Sequence, residues 1–587
     1  MVFGHFSVSR FYVRLRRTIQ GGQVALIALA FAVGGGVGGA VILFRETIAL
    51  VQFATFGTES ERLFAYIDLL PWWQVIGVPT IGGIVVGLLV KYLMPANRPE
   101  GVADVIEAGA LRGGRMSGLI GVKAALINAL SIGFGASVGR EGPAVHFGAA
   151  LGGWLAGSLN LNRSVSRTLL GCGAAAAVAA SFNAPIAGAL FASEVVIGHY
   201  ALSAFAPVVI ASVTATAISR SYFGDFPAFV IHEHVIQSLW EFPAFIIFGV
   251  VAGLVAMGFM KSIMLSSSLA DKLAVPSFLK PAIGGAIIGC VAIWFPQVLG
   301  IGYGTTEAAV MVSFSLGLLV SICIAKIIAT SISIGFGFGG GVFSPALVIG
   351  AMLGGAYGTV FTGLFPELST GIGAYTILGM GALAAAVLGA PISTALVIFE
   401  MTNDYALTLA LMVVVVISSL ITRQFHGGSF FSWQLEQRGL DLREGMEVAL
   451  LRSLRLQSML SYTEKQVPLG VRLPDIRIML QKSDAGELFV VNEFGVLFGT
   501  ITLADMSEFA FDTELDYLIT ASDVAKRNPP VLAVDEGLER ALTLMRETGE
   551  DYLPVVENHE TMKFLGCVRQ GQLMSAYNRA LIENRRE

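Results

Sequence analysis

The sequence predicts an α-helical polytopic membrane protein carrying a smaller α/β tail, and three observations lead there. Of 587 residues, 55% are hydrophobic, and the mean hydropathy of +0.73 is too high for a soluble chain of this length. Charge is uneven: residues 446–587 hold 37 of the 79 Asp, Glu, Lys and Arg side chains, so the composition changes near residue 445. Finally, two blocks of sequence recur in the same order about 200 residues apart, which divides the membrane part into two related halves. The tail has 15 basic and 22 acidic residues and the membrane part 22 and 20, so neither is basic enough to suggest a nucleic-acid partner.

Taken in order, the N-terminus "HFSVSRFYVRLRRTIQ" places Arg10, Arg14, Arg16 and Arg17 ahead of an apolar run at 23–43. That run is longer than a signal-peptide core and lacks a clear small-residue cleavage site, so it reads as a retained first span with the N-terminus in the cytoplasm. Further apolar runs follow at 75–93, 117–136, 168–195, 201–217, 243–265, 281–299, 308–330, 345–363, 375–399 and 406–421. Many are short or cut by Gly and Pro, and 69 glycines favour close helix packing. Broken helices persist at membrane depth only where they line a cavity or are buried in protein, so the breaks mark a pathway. Cys172, Cys290, Cys323 and Cys567 are scattered and indicate neither a zinc site nor a disulfide framework.

The duplication is specific. "REGPAVHFGAALGG" (140–153) lies over "VFSPALVIGAMLGG" (342–355), matching Pro143 to Pro345, Gly148 to Gly350 and Gly152-Gly153 to Gly354-Gly355, with Glu141 falling on Phe343. "NAPIAGALFASE" (183–194) lies over "GAPISTALVIFE" (389–400), ending on Glu194 and Glu400. Each half therefore offers a Gly- and Pro-flanked loop that opens a helix. Such helix N-termini present unpaired N–H groups and partial positive charge, an anion site weak enough to release a permeant ion.

The segments "GREGP", "FNAPIAGALF", "GGGVFSP" and "FEMTNDY" resemble the signature segments of the CLC family of chloride channels and proton/chloride exchangers, over nearly the whole chain. The resemblance implies a homodimer of two separate pores in a cell membrane of bacterial type, each subunit an inverted repeat of tilted and broken helices, with chloride as permeant ligand. It makes Glu141 the gate, its carboxylate standing in for the anion when ionised and moving aside when protonated or displaced. Around it, the loop of Gly139, Arg140 and Gly142 and the backbone N–H groups of Val342 and Phe343 become anion ligands. Three positions depart from the family pattern. Glu100, with Gly101 after it, stands where a Ser or His is usual, and an ionised carboxylate there would repel chloride unless protonated or turned away. Phe431 stands where the family has a tyrosine hydroxyl. Val195 stands where exchangers often carry an internal proton-transfer glutamate, which favours passive or weakly coupled conduction over antiport.

The tail alternates short strands such as "ELFVVNEFGVLFGTIT" with amphipathic helices such as "EGLERALTLMRET". It resembles a tandem pair of CBS domains, over 446–515 and 516–587, both cytoplasmic. Thr502 and Asp505 match the pattern that holds the ribose of ATP or AMP in nucleotide-binding pairs, the alternative being a dimerisation module. A rival function from another class is an adenine-nucleotide sensor whose membrane part serves as an anchor. An enzyme is disfavoured, because no metal cluster or nucleophile triad emerges among seven His and four Cys; no cofactor is required.

Overall fold

A computed structural model describes residues 23–60, 62–67, 70–198, 202–224, 238–440, 456, 460, 466–483, 486–507 and 516–576. The basic stretch with Arg10, Arg14, Arg16 and Arg17 lies outside them. The chain forms two compact units, Met1–Gly439 and Leu440–Glu587. Among the described residues, nine helices are long and apolar enough to cross a membrane, and Gly118–Gly133, Pro185–Ile197, Ile372–Leu388 and Pro391–Thr402 are shorter apolar segments.

The breaks fall where backbone chemistry puts them. The run 168–195 divides into Arg163–Phe182 and Pro185–Phe191. Asn183 ends the first helix with a left-handed φ of 60°, and Pro185 starts the second where its missing N–H goes unneeded. Gly389, at φ 69°, and Pro391 divide the run 375–399 in the same way into Ile372–Leu388 and Pro391–Thr402. The run 308–330, expected as one span, is two helices, Tyr303–Val310 and Leu316–Gly335. Val312 turns the chain between them at φ 56°, a reversal that apolar periodicity does not reveal. The first span, Gln23–Phe56, extends well beyond its expected run.

The sequence duplication has a geometric counterpart. Gly139 and Gly341 exchange both backbone hydrogen bonds, at 2.7 and 2.8 Å, in an antiparallel bridge. Glu194 accepts from the amides of Ile392 and Ser393 at 3.1 and 2.8 Å, and Glu400 accepts from those of Ile186 and Ala187 at 3.0 and 2.7 Å. Each half thus caps a helix of the other with its own terminal carboxylate, satisfying N–H groups that have no partner within the helix. Paired glycines set the helix crossings too: a Cβ on Gly148 would lie 2.3 Å from the Gly173 carbonyl oxygen, and one on Gly350 2.2 Å from that of Gly379.

In the tail, strands β1 (Gln466–Pro468), β2 (Glu487–Val491), β3 (Leu497–Thr502) and β4 (Lys526–Arg527) form one sheet in that order. A second sheet holds β5 (Leu532–Ala533), β6 (Tyr552–Val556) and β7 (Phe564–Arg569). In each, two parallel strands are joined through a helix, Leu473–Gln481 or Leu538–Thr548, and the next strand returns antiparallel with a register shift, at Val490/Val491 and at Val555/Val556. Phe489 stacks on Phe564 between the sheets, at 5.0 Å. The segment 521–527 pairs with the first sheet through β4, across the sequence boundary at 515/516.

Buried Glu487 on β2 has its pKa pushed up to about 7, by burial first and then by the Glu550 and Asp505 charges, against the Thr500 hydroxyl and Lys526. The folded state therefore holds a proton between the ordinary glutamate value of 4.5 and about 7 that the unfolded chain releases. The stability this supplies is lost as pH rises through about 7. Thermal unfolding of the tail should move to lower temperature over that window, and Glu487→Gln should flatten the decline; a decline of undiminished size in the variant would assign it to other groups.

Candidate functional site

The Glu141–Ser158 helix begins after Arg140 and the Phe343–Leu364 helix after Val342, and the Gly139–Gly341 bridge brings their N-termini together. The approach leaves little room for side chains. A Cβ on Gly139 would lie 3.0 Å from the Ser344 nitrogen, and one on Gly142 would lie 3.1 Å from the Gly341 Cα. Two helix ends with N–H groups and partial positive charge so create a place suited to an anion. Its present occupant is the Glu141 carboxylate, 1% exposed. Glu141 Oε1 accepts from the Tyr303 hydroxyl at 2.6 Å, and Oε2 accepts from the Ser344 hydroxyl. Arg140 is a charged neighbour at 3.8 Å, beyond hydrogen-bond length, and its guanidinium lies 4.9 Å from the centroid of the Tyr303 ring.

Cavities open on either side. Tyr303 borders one of about 350 Å³ together with Arg45, Arg62, Arg140 and Arg220. Glu141 borders another of about 510 Å³ together with Glu100, Gly142, Val342, Phe343 and Phe431. Arginines around the first raise the local concentration of anions. The second is also lined by Arg438, one residue from the end of the membrane unit, and is called the tail-side cavity after that chain end.

The structure brings Gly139, Arg140, Glu141, Gly142, Val342 and Phe343 into one cluster, as the sequence expected. Phe343 packs its ring on Phe182 at 4.8 Å, leaving its backbone as the polar element. The Gly101 amide, a candidate ligand, is already used: it donates to Asp104 Oδ2 at 2.8 Å. Asp104 in turn pairs with Arg98 at 2.6 Å and Arg438 at 2.9 Å. Phe431 is buried beside Phe430 with no polar atom to offer. Val195 sits in the π-helical turn Ala192–Ile197, and the adjacent Glu194 is committed to Ile392 and Ser393. Glu100 is held by His146, Oε2 to Nε2 at 3.0 Å. Thr502 and Asp505 form a closed turn, in which Asp505 Oδ2 accepts from the Thr502 amide and hydroxyl at 2.8 and 2.7 Å.

Sequence reasoning missed Tyr303, Ser344 and His146. Ser344 had a signal, since it falls opposite Gly142 in the duplicated frame and is the one hydroxyl in "GGGVFSP". Tyr303 had none, being 162 residues from Glu141.

Residues 82–423 match the voltage gated chloride channel family, and residues 521–579 match the CBS domain. The chain belongs to the CLC family. A putative ClcB-like chloride channel protein of Ralstonia nicotianae is 34% identical over 391 residues, covering 66% of this chain and 91% of that one. The voltage-gated ClC-type chloride channel ClcB of Escherichia coli is 32% identical over 431 residues, covering 71% and 98%. Among solved structures, a slow cyanobacterial Cl−/H+ antiporter superposes with a TM-score of 0.63 at 24% identity, covering 70% of this chain and 97% of that one. A eukaryotic CLC transporter superposes with a TM-score of 0.62 at 17% identity, covering 96% and 98%. Those two likenesses establish the CLC fold. CLC membership also sets the chain among membrane transport proteins rather than enzymes.

Proposed function

We propose that this protein carries chloride passively, or with weak proton coupling, through a pathway closed by the Glu141 carboxylate, as a homodimer in a cell membrane with its tail in the cytoplasm. The observation that carries the reading is the buried carboxylate at two converging helix N-termini, with cavities on both sides. A carboxylate there occupies the place of an anion. Protonation removes its charge and its claim on the Tyr303 and Ser344 hydroxyls, and chloride takes the site. Coupled exchange needs, in addition, a route that delivers protons separately from the anion. The position where CLC exchangers often begin that route is Val195, and neighbouring Glu194 is tied to another helix. Antiport is the second reading, favoured by the fold shared with the Cl−/H+ antiporter. Chloride flux from liposomes carrying the wild type and Glu141→Gln, with proton movement followed in parallel, tests the two.

For the tail we propose adenine-nucleotide binding at Thr502 and Asp505. Asp505 spends Oδ2 on its own turn, which leaves Oδ1 to accept from a ribose hydroxyl. ATP or AMP at about a hundred times its Kd should stabilise the tail by about 2.7 kcal/mol, seen as a rise in melting temperature of the full chain. Asp505→Ala should abolish the rise. Titration calorimetry without heat at millimolar nucleotide would leave dimerisation as the tail's role.

A further inference from the structure

Glu100 is an acid in the wrong place for a chloride pathway. It lines the cavity that Glu141 also lines, and an ionised carboxylate there repels the permeant ion. The structure holds it in a particular way. Glu100 is 16% exposed and His146 1%; Nε2 of His146 lies 3.0 Å from Glu100 Oε2, while His146 Nδ1 is buried with no hydrogen-bond partner. An unpartnered buried nitrogen costs least as a bare lone pair, since a buried N–H left unsatisfied is the more expensive choice. The proton therefore sits on Nε2 and is donated to Oε2. Among the described residues none donates a hydrogen bond to Oε1 of Glu100, and the side chain borders the cavity. A partly buried ionisable group in a membrane unit, held by one oxygen and bordering a cavity, is suited to carrying a proton.

The surrounding charges do not satisfy it. Arg98 lies near enough to interact with Glu100 but is bonded to Asp104; Arg438 is bonded to Asp104 and Glu107. Asp271 and Glu141 border the same cavity and are themselves acids. On the other helices packed around Glu141–Ser158, the charged groups are Arg45, Glu46, Lys123, Arg163 and Arg167. Arg163 and Arg167 donate to the Ala110 and Gly109 carbonyls, and the ion-pair partner of His146 is Glu100.

We infer that Glu100, oriented by His146, is the proton-loading site of the tail-side cavity and supplies the proton that opens Glu141. The inference rests on the gating reading of Glu141 given above. A proton from solution binds Oε1, passes through cavity water to the Glu141 carboxylate, and leaves Glu100 anionic for the next. Loading has a second effect: a neutral Glu100 no longer repels the chloride sharing its cavity. Proton and anion thus use one route, which gates conduction by tail-side pH without strict coupling. Glu100 takes over the role of a proton acceptor where Val195 cannot, and His146 is a positioning residue.

The test is chloride flux in liposomes with pH set separately on each side and orientation fixed by selective block of one face. In the wild type, flux should rise as either side is acidified. Glu100→Gln should lose the tail-side dependence, keep the opposite-side dependence, and raise flux at neutral pH. Glu100→Asp, which retains a titrating carboxylate, should keep a tail-side response. His146→Ala should displace the tail-side pH profile, and His146→Gln, whose amide can donate to Oε2, should restore it towards the wild type. Tail-side dependence surviving intact in Glu100→Gln would overturn the inference, as would a folded Glu100→Gln that conducts at no pH. Failure of the gate itself reads differently, because Glu141→Gln would then stay as closed as the wild type at neutral pH and retain its dependence on opposite-side pH, whereas a residual tail-side response in that variant belongs to Glu100.

Discussion

Glu141→Gln is expected to conduct chloride at neutral pH at the rate the wild type reaches only in acid, and to lose nearly all dependence on pH. Gln keeps the shape of the protonated acid but carries no charge for the two helix N-termini to hold. On the proposed reading closure depends on that charge: the carboxylate has two hydroxyl donors, Tyr303 and Ser344, and 1% exposure. With an amide in its place the site favours chloride at every pH. Flux assayed from about pH 3.5 to 8 spans the ordinary glutamate value of about 4.3 and the range above it. A variant as closed at neutral pH as the wild type would contradict the gate.

Tyr303→Phe should open the pathway at neutral pH while leaving acid flux nearly unchanged. The phenol donates a hydrogen bond to an ionised group, a contact worth about 1.5–3 kcal/mol, so its loss should shift the closed-to-open balance by about tenfold to a hundredfold. Ser344→Ala removes the other donor and should act in the same direction. The two share one acceptor group, so the double variant should depart from additivity. In acid the carboxylate is already protonated and the donors have no charge to hold. Equal increases in flux at neutral and acid pH would mean that Tyr303 acts by widening the pathway instead. The phenol also sits on the arginine-lined side, beneath Arg140, so its loss should change how anions on that side compete with the gate.

What the sequence disclosed follows from how each feature is encoded. The two Gly- and Pro-flanked loops were legible because close approach at Gly139, Gly142 and Gly341 leaves little room for a side chain, and that closeness favours glycine at fixed spacing. The helix breaks at 183–185 and 389–391 were legible because Pro and a left-handed residue mark them. Val312 carries no such mark, so the division of 308–330 was hidden. Tyr303 and Ser344 complete the gate through contacts across 162 and 203 residues, and only the assembled halves bring them to Glu141. Glu100 was legible as an anomaly but not as a pair, because His146 lies 46 residues away on another helix. Within the tail, alternation revealed the strands, whereas the segment 521–527 crosses to the neighbouring sheet through pairing that no local pattern records.

The central claim is that protons open this pathway without being pumped along it. The direct measurement records chloride and proton movement together in liposomes holding the full chain, with a chloride gradient and no initial pH gradient. Chloride should run down its gradient, faster in acid, with little or no uphill movement of protons. Robust proton transport driven by chloride against a rising pH gradient, and lost in Glu141→Gln, would contradict the account and make the protein an exchanger.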